Sequence, residues 1–316
     1  MSNSNDDSGG APLQAVLARP TTPGPGASAG VAPSSCGCGG SCGGLCGGNA
    51  ASSAGGQMSN AINVYAMGKI RPHIPNLGLE KEIAQTVGRV FSNGPSDEEA
   101  LCKLLVMDEH RRLANDVCWT FAVEGIDTYV LKPADSVGLS LILGALRADK
   151  SSTAVDVVIG RAVGKTGFAE CNGKMLPTLT PSQIYSMDRS SLLKTLPSSK
   201  DIAHEAMKSA VKQTLDVTAQ IGGNYGTSDA HRALNYAATR SAELYQAVAT
   251  NLLDNWALSG FNSRPSALTG GRRVVDVVLI FRSRVNDAVR KSFMRVDVTD
   301  LYPFMVSPIQ PFLEFN

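Results

Sequence analysis

The sequence lacks any marked excess of charge, and this absence bears on its partners. Over 316 residues, 29 Lys and Arg side chains balance 28 Asp and Glu side chains, which leaves a formal net charge of +1. Proteins that bind nucleic acid or anionic membranes through their overall field carry a basic excess. We therefore expect neither nucleic acid nor a membrane surface among the partners.

Long apolar runs are also missing. No stretch reaches the roughly 18 residues that a membrane-spanning helix needs. The N-terminus has no basic segment followed by an apolar one, so no secretory signal is predicted. These two absences predict a cytoplasmic protein. The hydrophobic content of 43% is still sufficient to bury a sizeable core.

The motifs of common catalytic sites are absent or incomplete. No His is followed by Gly, as a subtilisin-like protease requires, and Gly138-Leu-Ser140 lacks the second Gly of a nucleophile elbow. Residues 160–166 resemble a phosphate-binding loop, but this loop is one residue too short between its first Gly and the Gly164-Lys165 pair. The sequence therefore favours a protein without catalytic activity.

Large apolar side chains are rare in residues 1–60, which are rich in Gly, Ser, Ala and Pro. Such a segment buries too little surface to offset its ordering entropy, so we predict a disordered arm. Its cysteines Cys36, Cys38, Cys42 and Cys46 are separated mostly by Gly and could bind a soft ion such as zinc. The spacing is not the usual paired CxxC kind, so an inert reduced tail and modified Cys-Gly pairs are the alternatives.

Residues 61–197 show the periodicities of a mixed α/β domain. Apolar and β-branched runs predict strands at 63–67, 117–123, 128–131 and 154–160, and prolines predict an extended connector at 71–75. Amphipathic spacing and acidic first turns predict helices at 79–90, from 97 onwards, and at 135–146.

Residues 198–316 predict long helices packed on an antiparallel sheet, which makes the whole chain an α+β protein. A charged helix is expected at 201–221 and one long helix at 226–253, with Arg232, Asn235, Arg240 and Glu243 on its water-facing side. The runs at 274–281 and 292–299 predict a hairpin, in which the first run is apolar enough to be a central strand.

Two short segments are candidates for ligand binding. Asp229, His231 and Arg232 lie in the first turn of the predicted long helix, where unpaired backbone N–H groups could hold an anionic group, although capping explains the same residues. Cys171 and Asn172 lie in a polar turn, which makes an exposed thiol plausible. No base that would activate this thiol can be identified from the sequence, so a structural role for Cys171 is the default interpretation.

Several colinear segments resemble one known family. They are residues 64–75 (VYAMGKIRPHIP) with 79–82 (LEKE), 118–119 (CW) with 124–129 (EGIDTY), 158–160 (VIG) with 171–173 (CNG), 185–189 (YSMDR), 229–236 (DAHRALNY) and 295–300 (RVDVTD). Together they resemble the hinge and C-terminal domains of PatG-type cyanobactin maturation proteins, in a stand-alone form without the subtilisin-like protease. The resemblance implies an association with ribosomally made, modified peptides, and partners such as a peptide precursor or a separate subtilisin-like protease.

Three hypotheses for function follow. The first is a non-catalytic recognition or assembly module of such a pathway, which binds a peptide as an added strand at an open edge of the sheet in residues 272–299. The second is a metal-binding or thiol-dependent protein acting through the cysteines of the arm. The third is a self-assembling structural component, which would form a homo-oligomer.

Overall fold

A computed structural model describes residues 61–90, 97–147, 154–165, 170–197, 202–267 and 270–313. These residues form a five-stranded barrel, a four-stranded sheet and the helices that pack on them, which confirms the α+β fold. The disordered arm predicted for residues 1–60, including its four cysteines and their zinc site, lies outside the described residues. In the part of the chain that is described, no helix is long and apolar enough to cross a membrane.

The elements are as follows in chain order. The barrel region contains β1 (Ile62–His73), α1 (Leu77–Val90), α2 (Asp97–Leu105), a short 3₁₀ helix (Asp108–His110), α3 (Arg111–Asp116), β2 (Cys118–Val123), β3 (Ile126–Leu131), α4 (Ser136–Arg147), β4 (Val155–Lys165) and β5 (Pro177–Met187). The remainder contains α5 (Arg189–Thr195), α6 (His204–Ala219), α7 (Asp229–Arg240), α8 (Ala242–Leu253), β6 (Trp256–Pro265), β7 (Val274–Ser283), β8 (Val289–Asp297) and β9 (Phe304–Pro311).

The first five strands close into a barrel with the order β1-β2-β3-β5-β4, in which β4 pairs back onto β1. All neighbours are antiparallel except β3 and β5, which are parallel. This is the Greek-key barrel of the OB-fold, with α4 between β3 and β4. Alternate strand residues such as Val64, Ala66, Phe121 and Leu179 are fully buried and fill the barrel together with side chains of α1, α2 and α4.

Strand β1 is longer than the sequence predicts. The residues expected to form an extended connector continue the strand, because Arg71 pairs with Thr120 and Pro72 with Trp119 of β2. The even-numbered residues of β1 direct their N–H groups towards β4, and the pairing of β1 with β4 ends at Gly68. Pro72, which has no N–H group, therefore removes no hydrogen bond from the barrel.

The C-terminal sheet has the antiparallel order β6-β7-β8-β9, and helices α6, α7 and α8 pack on one of its faces. Val277 and Leu279 of β7 and Met294 and Val296 of β8 are fully buried towards these helices. The predicted hairpin and the central position of β7 are thus confirmed. The sequence analysis missed β6 and β9, so the open edges of the sheet are not where it placed them.

The single long helix predicted over residues 226–253 is wrong. The chain is extended at Ser241, with φ −88° and ψ 102°, and the Ser241 hydroxyl accepts a hydrogen bond from the Leu244 N–H at 3.1 Å as the N-cap of α8. Arg232 and Asn235, predicted to face water, are 1% and 0% exposed. The reason is that α7 packs against β1 of the barrel as well as β7 of the sheet, so both of its faces are covered.

Candidate functional site

The loop before α7 docks onto β1 as if it were another strand. The Tyr65 N–H donates to the Gly226 carbonyl at 2.9 Å, and the Asn235 side chain donates to the Tyr65 carbonyl at 2.8 Å. Gly226 has φ +76°, and a Cβ atom there would lie 2.3 Å from the Tyr65 oxygen. Only glycine allows the two backbone segments to come this close, and their contact joins the barrel to the C-terminal region.

Side-chain hydroxyls strengthen the same junction. The Tyr65 hydroxyl lies 2.7 Å from the Tyr185 hydroxyl and 2.6 Å from that of Thr239 on α7. The guanidinium group of Arg240 lies 4.3 Å from the centre of the Tyr185 ring, a cation–π distance. Burial, and then the neighbouring Tyr185, raise the pKa of Tyr65, so its phenol remains protonated and able to donate.

A pocket of about 440 Å³, which we call the seam pocket, opens beside this junction. Its apolar walls come from β1, the end of β2, the start of β4 and the last turns of α6, and they consist of Met67, Gly68, Ala122, Val123, Val155, Leu215 and Ala219. Its polar lining consists of Lys69, Arg71, Glu124, Gly125, Thr218 and Asn224. The seam pocket therefore combines an apolar interior with two cationic side chains and one carboxylate.

The turn between β2 and β3 shapes one wall of the seam pocket. Glu124 and Gly125 have φ values of 52° and 82°, as the two central residues of a type I′ turn require. Left-handed backbone is uncommon for a residue such as Glu, so this geometry is held by the surrounding hairpin. The Arg71 guanidinium donates to the Gly125 carbonyl at 3.4 Å, a long and weak hydrogen bond.

His231 is the candidate from the sequence analysis that is electrostatically linked to the seam pocket. Its side chain is partly buried in the first turn of α7, and its Nδ1 atom has no hydrogen-bond partner among the described residues. Burial lowers the pKa of His231, and the negative charge of Glu124 opposes this shift. Asp229, two residues earlier, forms an ion pair with Arg273 at 3.0 Å.

Arg232 makes structural hydrogen bonds in this arrangement. Its guanidinium group is buried and donates to the carbonyls of Val298 at 2.7 Å, of Asp300, and of Leu301 at 3.3 Å. These carbonyls belong to the connection between β8 and β9. The side chain that was expected to meet an anion therefore holds a loop against α7.

Cys171 is not an exposed thiol. It is fully buried and forms a disulfide with Cys118 at the start of β2, with a Cα–Cα distance of 5.6 Å. Val130 of β3 packs against the two cysteines. Asn172 is exposed beside them and has a left-handed φ of 48°. The polarity of residues 170–173 indicated a turn correctly, but the residue within it points into the protein.

The side chains of the seam pocket carried no signal in the sequence. They come from β1, the β2–β3 turn and α6, which are separated by up to about half the chain. Residues 64–75 and 124–129, which contribute to its lining, are recognisable only as segments of the family resemblance. Nothing in the local patterns indicates that these elements meet.

Two family models match this chain. The model described as PatG Domain matches residues 63–213, and the model described as PatG C-terminal matches residues 201–312. The chain belongs to the PatG domain family. This confirms the resemblance seen in the sequence. It also means that the seam pocket combines both matched parts, since Met67 and Glu124 lie in the first, and Leu215 and Asn224 in the second.

A solved structure titled "PatG Domain of Unknown Function" shares the fold of this PatG-family chain. The two have 19% sequence identity and a TM-score of 0.60, over 79% of this chain and 98% of that chain. No curated protein matches the sequence.

The partly buried histidines predict how the stability of this PatG-family protein depends on pH. Burial lowers the pKa of His231 and of His73, and Lys174 lowers the pKa of His73 further. In the unfolded chain both imidazoles bind protons near the ordinary pKa of about 6.5. The unfolded state then holds more protons, so the free energy of unfolding should decrease as the pH falls from about 7 to about 5.

Urea denaturation midpoints measured across this pH range test the prediction. The aspartates with lowered pKa values lose their contribution only at more acid pH, because carboxylates in the unfolded chain titrate near about 4. His231→Gln should reduce the slope, whereas His204→Gln, at an exposed position on α6, serves as the matched control. A midpoint that does not change between these pH values would contradict the prediction.

Proposed function

We propose that this PatG-family chain is a recognition module in the maturation of ribosomally made, modified peptides of the cyanobactin type, and that it binds a precursor peptide in the seam pocket. Family membership supports the association with such a pathway. The observation that carries the binding role is the seam pocket, which both family segments line together. A site that exists only when the two segments pack against each other gives a reason for their occurrence in one chain.

The chemistry of the seam pocket suits a peptide. Its volume of about 440 Å³ lies within the range of roughly 300–1,000 Å³ that is usual for ligand sites. Apolar walls with a few polar groups at defined positions are the pattern by which such sites bind an apolar side chain and fix its orientation. Val155, Leu215 and Ala219 provide the walls, and Lys69 and Glu124 provide the charges.

Strand addition at the C-terminal sheet is a weaker mode of peptide binding. Val277 in β7 pairs with Ser263 on one side and Met294 on the other, so this strand has no open edge. The edge strand β9 contains Pro308 and Pro311, which donate no backbone hydrogen bond and discourage pairing. These features favour the seam pocket as the binding site.

Filling the seam pocket tests the proposal. Ala219→Trp on α6 places an indole in the pocket, and we expect it to weaken the binding of fluorescently labelled cyanobactin-type precursor peptides at least about tenfold, since that loss corresponds to about 1.4 kcal/mol. Fluorescence anisotropy gives the affinities. Ser209→Trp, at an exposed position of the same helix, is the matched control and should bind as the wild type does.

Two results would overturn the proposal. One is a failure of every precursor peptide to bind the wild-type chain. The other is equal binding by the wild type and by Ala219→Trp, with thermal melting showing that the variant is folded. Equal weakening by Ala219→Trp and Ser209→Trp would likewise assign the effect to α6 as a whole and not to the seam pocket.

A further inference from the structure

We infer that the seam pocket binds the C-terminal end of a peptide, with its carboxylate at Lys69 and Arg71 and its last, apolar side chain inside the pocket. This inference rests on the proposed function and specifies its ligand. It follows from the hydrogen-bonding pattern of β1, from the boundaries of the pocket and from the distribution of charge around it.

The first step is an interruption in the hydrogen-bond ladder along β1. Alternate residues of a strand direct their N–H and C=O groups to the same side. On the side of β1 that faces β2, the backbone N–H and C=O groups of Tyr65 are hydrogen-bonded to Gly226 and Asn235. Pairing of β1 with β2 begins only at Lys69, which lies opposite Ala122. Met67 lies between them and lines the seam pocket. Its backbone groups are therefore directed to where a bound main chain would lie.

The second step is that the protein bounds this opening at both ends. Gly226 lies against Tyr65 at one end, and β2 turns away at Glu124 and Gly125 at the other. From Tyr65 to Lys69 the strand rises about 13 Å at roughly 3.3 Å per residue. A strand that continued in both directions would collide with the flanking segments. A chain that ends in the opening with its last two or three residues avoids one of these two collisions.

The third step decides which chain end is bound. The pocket lining carries Lys69 and Arg71 against the carboxylate of Glu124, and the nearby Asp127, which also interacts with Arg71, is paired with Lys174. An excess of positive charge beside apolar walls favours a carboxylate over an ammonium group, because charge-assisted hydrogen bonds are stronger where water is partly excluded. The 3.4 Å bond from Arg71 to the Gly125 carbonyl is weak enough to be exchanged for a carboxylate.

The fourth step concerns the last side chain of the peptide. Leu215 and Ala219 on α6 line the pocket, and Val155 at the start of β4, the strand paired with β1, extends its apolar wall. In an extended peptide, successive side chains point to opposite sides. A residue whose main chain lies along Met67 can thus place one apolar side chain against these walls.

Short peptides that differ only at the C-terminus test the inference. We expect acetyl-Ala-Ala-Leu with a free carboxylate to bind the full chain at least about tenfold more tightly than the same peptide ending in an amide, as measured by isothermal titration calorimetry. Arg71→Met should abolish this preference by lowering the affinity for the acid. Lys81→Met, an exposed cation of α1, is the matched control and should preserve the preference.

Each outcome separates this inference from the function on which it rests. Equal affinity for acid and amide overturns the inference, and so does a preference that survives Arg71→Met. If short peptides fail to bind, but a precursor peptide binds the wild-type chain and binds Ala219→Trp more weakly, the inference is wrong and the proposed function stands. If no precursor peptide binds either, both are wrong.

Discussion

Replacement of Arg232 by methionine is expected to lower the free energy of unfolding by about 3–5 kcal/mol. The guanidinium group is 1% exposed, and it donates to carbonyls of Val298, Asp300 and Leu301 between β8 and β9. Methionine has a similar volume but no donor, so the carbonyls of Asp300 and Leu301 lose the hydrogen bonds from Arg232, whereas that of Val298 keeps one from Arg273 at 3.2 Å. Each unsatisfied buried group costs about 1–3 kcal/mol. The variant should also loosen the connection between the two strands.

Two further variants show whether the geometry or the charge of Arg232 matters. Lysine retains the charge but cannot reach three carbonyls as a planar guanidinium group does, so Arg232→Lys should also destabilise the protein. Arg282→Met is the comparison for an exposed cation, since Arg282 is 59% exposed in its ion pair with Asp287, and it should cost less than about 1 kcal/mol. Urea denaturation gives all values. Similar losses for Arg232→Met and Arg282→Met would contradict this account.

Arg232 also shows where prediction from sequence ended. Helix α1, helix α4, the β2–β3 hairpin and the β7–β8 hairpin were predicted, because each shows its periodicity within a few residues. Helix α7 does not show such a periodicity, because β1 covers one of its faces and β7 covers another. A polar residue on such a helix is buried, and amphipathic spacing then assigns it to the wrong side.

The missed strands have a related cause. Strand β9 exposes alternate residues and contains two prolines, and β5 contains four Ser or Thr residues and begins with a proline, so neither has the composition of a strand. They form because neighbouring strands supply their partners. The seam pocket was unpredictable for the same reason, since Met67, Glu124 and Leu215 meet only in the folded chain.

Loss of the Cys118–Cys171 disulfide is the other change with a large expected effect. The bond closes a loop with a sequence separation of 53 residues, and the chain-entropy relation for a loop of this size gives about 4 kcal/mol of stabilisation. Most of that effect acts on the unfolded chain. The Cys118→Ala and Cys171→Ala double variant should therefore fold with the same barrel but unfold at a lower urea concentration.

Reduction of the wild-type protein gives the matched experiment without any change of sequence. Urea unfolding with a thiol reductant should reproduce the loss seen in the double variant, and the double variant itself should not respond to the reductant. Cys102→Ala, which removes a cysteine outside the disulfide, should leave the difference unchanged. Identical midpoints with and without reductant for the wild type would contradict the assignment.

The burial of this disulfide also predicts the rate at which it is reduced. Cys171 is fully buried and Cys118 is 8% exposed, and Val130 packs over both. A thiolate must attack one of the two sulfurs directly, so reduction requires local opening of the segment from Glu170 to Leu176 or of the start of β2. We expect slow reduction in buffer, faster reduction as urea promotes opening, and faster reduction in Val130→Ala, measured by mass spectrometry after alkylation. Rapid reduction in buffer would mean that the two cysteines are accessible in the native state.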